Sequence, residues 1–170
     1  MKSTFAVVIF ALVLAVMVFL IVGSEGSEPK ASAEAFYPEP SNYAVDAAGV
    51  LDAKHLKWVN DKLAELDGDR QQLAVVVVKT TAPLGIEEYS IRLAEKWKVG
   101  KADMDDGAIL VVATEDRKVR IEVGDGLQVD LTDAESGRIL DEQVLPQFKK
   151  GDWYAGIMAG IVAIKNEVNK

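Results

Sequence analysis

The sequence has no cysteine and only one histidine among its 170 residues. Without cysteine, the chain can form no disulfide, no thiolate nucleophile and no cysteine metal site. His55 has no second histidine with which to share a zinc ion, and its neighbours Lys54 and Lys57 indicate a solvated helix surface. The sequence therefore points away from thiol chemistry and from zinc enzymes.

An excess of positive charge is also missing. The formal net charge is −8, residues 41–170 hold 17 basic against 23 acidic residues, and no basic patch stands out. Nucleic acid is not expected as a partner, because its recognition needs clustered Lys and Arg. No glycine-rich phosphate loop with its lysine follows the first predicted strand. No motif supplies a base to a serine or threonine nucleophile, so we assign no catalytic residue.

Long hydrophobic runs are lacking except at Phe5–Val22, which carries no charge. At about 1.5 Å per residue this run would reach close to 27 Å as a helix, enough for a thin bilayer core. We predict an uncleaved single-pass anchor over residues 1–23, in contact with lipid through residues 5–22. A cleaved signal is the alternative, since Ala31-Ser32-Ala33 has the small-x-small form that a signal peptidase uses.

The orientation of this anchor follows from Lys2, which precedes the run, while acidic residues follow it. The positive-inside tendency then predicts a cytoplasmic N-terminus in the cell inner membrane and a C-terminal domain in the periplasm or in a lumen. Residues 24–42 are rich in Ser, Glu, Ala and Pro and are typical of a linker. Its last part, with Tyr37, Pro38 and Pro40, is expected to run extended against the folded domain.

The folded domain is predicted to occupy residues 43–170 and to be α/β. The apolar runs Leu73–Val78 and Ala108–Ala113 indicate strands buried on both faces. Ile86–Trp97 shows helical spacing between them, which makes a βαβ unit whose crossover should be right-handed. Gly100 is the expected left-handed cap of that helix.

The next strand, Lys118–Val123, alternates apolar and charged residues and predicts an antiparallel hairpin with the preceding strand. Three further helices are expected: one after the N-cap Asp52, one after a capping box of Thr132 and Glu135 that Pro146 ends or bends, and one over Trp153–Val168. In the last, Gly156 and Gly160 indicate close packing on the sheet. We expect a three-layer sandwich: a small mixed sheet with a βαβ unit plus an antiparallel hairpin and helices on both faces, preceded by one transmembrane helix.

The hairpin brings acidic residues together at one edge of the sheet. If its turn is centred between Glu115 and Asp116, the ladder places Asp106 opposite Asp125. Carboxylates converging on glycine-rich backbone suit a hard cation, and calcium accepts about six to eight oxygen ligands. The sequence predicts a metal site, with Ca²⁺ favoured, formed by Asp103, Asp105, Asp106 and Asp125. A solvated acidic loop is the alternative.

As a whole, the domain resembles the TPM-domain family, named for a thylakoid lumen protein, a photosystem II accessory protein and a receptor-associated membrane protein. The resemblance spans about residues 43–168. It is carried by VDAAGVL (45–51), IEEYSIRLAEKWKVGK (86–101), DDGAILVVATEDRKVRIEVGDGL (105–127), LTDAESGRIL (131–140) and LPQFKKGDWYAGIMAGIVAI (145–164). It implies an α/β sandwich, commonly tethered to a membrane by one helix.

The resemblance also implies a site and a range of activities. Members of the family resemble acid phosphatases, bind calcium at acidic loops, or accompany photosynthetic or receptor membrane complexes. Carried over by position, the family's acidic cleft would comprise Asp46, Asp105, Asp106 and Arg117, next to Gly124 and Gly126. Where the family usually has GYGLE, this chain has Asp125 for the Tyr and Gln128 for the Glu.

We expect a membrane-anchored accessory or assembly and maintenance subunit of an energy-transducing membrane complex, either a photosynthetic reaction centre or a respiratory complex. It would act by contact with integral membrane proteins, with no required cofactor and with bound Ca²⁺ as an optional addition. The alternative is a metal-dependent acid phosphatase or a calcium-binding module at the acidic cleft.

Overall fold

A four-stranded sheet organises the part of the chain that the structure, a computed structural model, describes: residues 35–67, 72–101 and 103–170. Its strands lie in the order β1–β2–β3–β4, where β1 is Ala44–Asp46, β2 is Gln72–Val78, β3 is Gly107–Ala113 and β4 is Lys118–Val123. The first three are parallel, and β4 is antiparallel to β3. The predicted mixed sheet is confirmed, and β1 is an addition to it.

The predicted membrane anchor and most of the predicted linker, residues 24–34, lie outside the described residues. Within the described ranges, none of the helices is long and apolar enough to cross a membrane.

Within the described residues, five α-helices accompany the sheet. They are α1 (Ala53–Leu66), α2 (Ile86–Trp97), α3 (Asp133–Ile139), α4 (Leu145–Phe148) and α5 (Trp153–Val168). The Asp52 side chain accepts the N–H of His55, and Thr132 and Glu135 form a reciprocal capping box. Both predicted helix starts are confirmed, because these side chains satisfy N–H groups that have no partner inside the helix.

The predicted cap at the end of α2 is wrong by two residues. Lys98, with φ of 53°, takes the left-handed conformation, and its N–H donates to the carbonyl of Ala94. Gly100 has a positive φ of 97° but plays a different role, because a Cβ there would lie 2.5 Å from the backbone nitrogen of Gly107. The glycine therefore lets the loop after α2 approach the start of β3.

Between α3 and α4 the chain makes a π-helical turn over Leu140–Val144. Here the N–H of Leu145 donates to the carbonyl of Leu140, five residues back. Pro146 follows and has no N–H to donate. The predicted disturbance near this proline is therefore a widened turn.

Helices cover both faces of the sheet, as a three-layer sandwich requires. On one face α1, α3, the π-helical turn and α5 pack on a core that includes Val75 and Leu110. On the other face α2 packs on Val76 and Val111. Because side chains alternate along a strand, fully apolar strands supply both cores at once.

The last helix packs closely, as its glycines predict. A Cβ on Gly156 would overlap the ring of Phe148, and one on Gly160 would lie 3.2 Å from Leu110 Cδ2 in β3. These two positions let α5 approach α4 and the sheet.

Residues 35–40, which we call the leading segment, lie on the α2 side without regular secondary structure. The ring of Tyr37 stacks on Tyr89 of α2 with 4.9 Å between centroids. Trp97 Nε1 donates to the carbonyl of Pro38 at 2.9 Å, and the hydroxyl of Tyr89 donates to the carbonyl of Phe36 at 2.7 Å. The expected docking of this stretch against the domain is confirmed.

Candidate functional site

The hairpin register agrees with the position of its turn. Ala108 pairs with Val123, and the N–H of Gly124 donates to the carbonyl of Gly107 at 2.8 Å. Continuing this ladder by one residue places Asp106 opposite Asp125, as predicted. We call this end of the hairpin, residues 105–107 and 123–126, the cleft edge.

A cleft of about 710 Å³ lies at the cleft edge, between α2 and the hairpin. Ile109 and Val123 line it from the strands, and Ile91, Ala94 and Glu95 line it from α2. The loops Lys98–Lys101 and Gly124–Gln128 contribute further charged and polar lining, and Asp105, just before β3, completes it together with Glu122 of β4. Strands, a helix and two loops thus form one concave site.

Two carboxylates fix these loops in place. Asp105 Oδ2 accepts the N–H of Asp125 at 2.9 Å. Asp106 is only 7% exposed, and its Oδ1 accepts the N–H of Lys101 at 2.8 Å. Each carboxylate binds the backbone of a different loop. Both walls of the cleft are therefore attached to Asp105 and Asp106, which directly precede β3.

The four predicted metal ligands have different surroundings in the described structure. Asp103 is exposed in the turn before β3, and Asp125 Oδ1 accepts from Gln128 Nε2 at 3.1 Å. Asp105 and Asp106 serve separate loops, as described above. Within the described ranges, no group of three His, Asp or Glu side chains could hold a metal ion. A calcium site formed by these carboxylates stays a prediction.

The glycines of the cleft edge allow two loops to touch. A Cβ on Gly124 would overlap the carbonyl oxygen of Asp105, and one on Gly126 would overlap that of Met104. The N–H of Gly126 donates to the carbonyl of Asp105 at 3.1 Å. Gly124 and Gly126 therefore seat the loop before β3 directly on the loop after β4.

The structure does not bring Asp46 and Arg117 to this cleft. Asp46 ends β1 opposite Val77, and its carboxylate accepts the N–H groups of Ala48, Gly49 and Leu51 at 2.7–3.1 Å. Arg117 is exposed in the hairpin turn, with φ of 54°. Both lie at the opposite end of the sheet, which we call the turn edge. The acidic cleft that the resemblance implies is therefore divided: a parallel sheet separates the ends of its strands from their beginnings.

One half-buried carboxylate at the cleft was not among the predicted site residues. Glu122 Oε2 accepts from Arg120 Nε at 2.8 Å and lies 2.6 Å from Ser90 Oγ of α2. Glu122 lines the cleft, and the charged side of β4 is covered here by α2. Alternation along β4 predicts the shared side of Arg120 and Glu122, but only the packing of α2 reveals what covers them.

His55 lies away from the cleft and is not simply solvated. Its ring stacks on Tyr154 of α5, with 4.3 Å between centroids, and meets Trp58 edge-on at 5.5 Å. These aromatic contacts join α1 to α5, which is a structural role.

Comparison with protein families gives a match to the TPM domain over residues 44–167. No relative was found among curated proteins. Among solved structures, the N-terminal domain of a protein from P. gingivalis, determined by solution NMR, is 28% identical. The alignment covers 75% of this chain and 82% of that one, with a TM-score of 0.68.

Two further NMR structures share the fold at lower identity. The BA42 protein of the psychrophilic bacterium Bizionia argentinensis is 18% identical, over 69% of this chain and 81% of that one, with a TM-score of 0.61. The N-terminal domain of the cg2496 protein from Corynebacterium glutamicum is 14% identical, over 78% and 87%, with a TM-score of 0.59. At such identities these two show the fold alone.

Proposed function

Since this chain belongs to the TPM domain family, we propose that it is a membrane-tethered accessory protein whose folded domain binds a partner protein at the cleft. In this proposal residues 5–22 hold the chain in the cell inner membrane, and the domain works in the periplasm or in a lumen. The partner is an integral membrane protein of an energy-transducing complex, either a photosynthetic reaction centre or a respiratory complex.

The observation that carries this proposal is the cleft of about 710 Å³ with both walls fixed. The bonds of Asp105 and Asp106 to the two loops hold the concave surface in shape. Its lining mixes apolar side chains with charged ones, as protein-binding surfaces do. A surface that is already shaped loses little conformational entropy on binding.

Co-purification tests the proposal. The full chain, with a C-terminal affinity tag, is isolated from native membranes after mild solubilisation, and we expect integral membrane proteins to accompany it. Ala94→Lys fills the α2 wall of the cleft and should remove them. Ala134→Lys, on the exposed surface of α3, is the matched control and should retain them. A chain that migrates alone would contradict the proposal.

A second candidate function uses the same cleft. Asp105 and Asp125 line it together with Lys98 and Lys101, so it offers both carboxylate and ammonium groups. Asp105 and Asp125 would hold a Ca²⁺ or Mg²⁺ ion together with the phosphate ester itself, since one or two carboxylates suffice when a substrate phosphate completes the ligand set, and the ion would supply electrophilic activation of the ester. The chain's own part would be to hold the ester by its lysines and to orient it between the two loops.

Phosphate release from a model ester, with millimolar Ca²⁺ or Mg²⁺, tests this second candidate. Asp105→Ala should abolish release, and activity that survives the change would remove the site assignment. Added Ca²⁺ should also raise the melting temperature, because binding to the folded state stabilises it. With neither release nor a shift, the carboxylates of the cleft edge would have a structural role only.

A further inference from the structure

Exposed apolar side chains lie in the cleft lining or next to it in sequence. Six large hydrophobic residues are exposed within the described ranges, and three of them are at this site: Ile91 at 46%, Met104 at 42% and Val129 at 87% exposed. Ile91 lines the cleft, Met104 precedes the lining residue Asp105, and Val129 follows the lining residue Gln128. Single exposed apolar residues are ordinary, but their concentration around one concavity marks an interaction site.

The backbone holds these side chains in their exposed positions. Leu127 and Leu131 on either side of Val129 are buried in the core, at 3% and 0% exposed, so the loop between them is fixed at both ends. The carbonyl of Met104, in the loop before β3, rests against Gly126 at the start of the loop after β4. Ile91 projects from the middle of α2, a regular helix. All three exposed side chains are therefore carried by backbone that is held in place by its own contacts.

We call Ile91, Met104 and Val129 the rim of the cleft. The charge of the cleft lining indicates which kind of side chain would bind inside this rim. Four carboxylates line it, against two ammonium groups: Glu95, Asp105, Glu122 and Asp125 against Lys98 and Lys101. Arg120, which lies outside the lining, pairs with Glu122 at 2.8 Å, so the lining and this partner together carry an excess of one negative charge. A basic side chain entering the cleft gains electrostatically, and an acidic one is repelled by the same groups.

From the rim and the charge together, we infer that the cleft receives a segment of the partner protein in which a lysine or arginine is flanked by apolar residues. The basic side chain lies among the carboxylates, and the flanking residues contact Ile91, Met104 and Val129. This inference rests on the proposed function and names the chemistry of its partner. The cleft has room for several side chains, so a segment with more than one contact point fits it.

Site-specific photocrosslinking tests the inference in native membranes. A benzophenone amino acid replaces Ile91, Met104 or Val129, one at a time, in the full chain, and crosslinked peptides are identified by mass spectrometry. Val162 is the matched control, since it is 40% exposed on α5, which packs on the opposite face of the sheet. We expect the three rim positions to crosslink to one segment with a basic residue between apolar ones, and Val162 not to do so.

A charge reversal gives a second readout. Glu95→Lys should lower the crosslinking yield from Val129 about tenfold, a change of about 1.4 kcal/mol in binding. Asp141→Lys, an exposed change on the π-helical turn, should leave the yield unaltered. The inference would be overturned by crosslinks to an acidic segment, by crosslinks to lipid alone, or by equal crosslinking from Val162. In each of these cases, integral membrane proteins that co-purify with the chain would still support the proposed function. Absence of any companion would overturn both.

Discussion

A methyl group added at Gly126 would overlap the carbonyl oxygen of Met104, whereas one added at Gly137 would meet nothing within 4 Å. The two glycines therefore have different physical roles although both lie near the surface. Gly126 permits the contact between the loops that shape the cleft. Gly137 lies inside α3, where glycine only loosens a helix.

The two positions give a paired prediction. Gly126→Ala should lower the free energy of unfolding by about 1–3 kcal/mol, because the backbone must move to relieve the overlap. Gly137→Ala should raise it by about 0.5–1 kcal/mol, since alanine loses less entropy in a helix. Urea unfolding of the two variants measures both. Equal effects would show that the cleft loops are not in contact.

For single residues, the sequence predicts which residues pair across two strands better than it predicts which side chains meet in a site. The position of the turn predicts that Asp106 faces Asp125, because a ladder continues residue by residue from its turn. It does not predict that Asp106 points to the backbone of Lys101. Such a contact depends on where the loop after α2 passes, and no local pattern records that path.

The hairpin of β3 and β4 is tied to its neighbour through one carboxylate at the turn edge. Asp116 Oδ2 accepts the N–H of Thr81 at 2.8 Å, which links the hairpin turn to the loop after β2. This backbone hydrogen bond holds the pKa of Asp116 below its ordinary 3.8. Because the folded pKa is the lower one, the bond stabilises the fold above pH 3.8, and this contribution is lost as the pH falls through the folded pKa.

Asp116→Asn should therefore destabilise the protein by about 1 kcal/mol at neutral pH. The difference in the free energy of unfolding between wild type and variant should become smaller as the pH falls below 3.8, because protonation of Asp116 weakens its hydrogen bond to Thr81. Urea unfolding at neutral and acidic pH measures the gap. Asp141→Asn, an exposed carboxylate for which the described structure shows no hydrogen bond, is the control and should give no such narrowing. A constant gap would assign the effect of Asp116 to packing.

At the scale of whole elements, the sequence predicts helices and strands that show a hydrophobic period or a capping residue. The helix starts at Asp52 and Thr132 follow from side-chain chemistry within three residues of the start. The sequence does not predict the strand β1, because three residues are too few to show a hydrophobic period. Its place depends on contacts distant in sequence: the N–H of Ala44 donates to Asn60 Oδ1 at 2.8 Å, and β2 pairs alongside.

The arrangement of the whole domain contains one feature that no pattern predicts. The strands β1, β2 and β3 are parallel neighbours in chain order, yet α1 and α2 lie on opposite faces of the sheet. Two successive crossovers on opposite faces have opposite hands, so one of them departs from the usual right-handed preference. Periodicity tells which side of a helix is apolar but not which face of the sheet it covers.

The leading segment makes the folded unit longer than the family match, which begins at residue 44. A fragment of residues 41–170 should be less stable than one of residues 35–170 by about 2 kcal/mol, because it loses the Tyr37–Tyr89 stack and the bond from Trp97 to Pro38. Thermal and urea unfolding measure the difference. Tyr37→Phe is the control: it keeps the ring and removes a buried hydroxyl for which the described residues supply no hydrogen-bond partner, so it should not lower stability.

The same comparison has a spectroscopic readout. Burial, and then the neighbouring Tyr37, raise the pKa of Tyr89 to about 12. Because the folded pKa lies above the unfolded value of 10.0, this contribution to stability is present below pH 10 and is lost as the pH rises to about 12. Spectrophotometric titration should show the pKa of Tyr89 lower in the shorter fragment. An unchanged value would mean that the leading segment does not cover this phenol.

The π-helical turn before Pro146 also sets the angular position of everything that follows it in that helix. Successive residues of an α-helix are rotated by about 100° around its axis. Removing one residue from the turn would swing the ring of Phe148 by that angle, away from the hollow at Gly156 that receives it. The extra residue of the π-helical turn therefore sets the rotation at which Phe148 leaves the helix. At that rotation the ring of Phe148 meets Gly156, and only glycine is small enough to accommodate it.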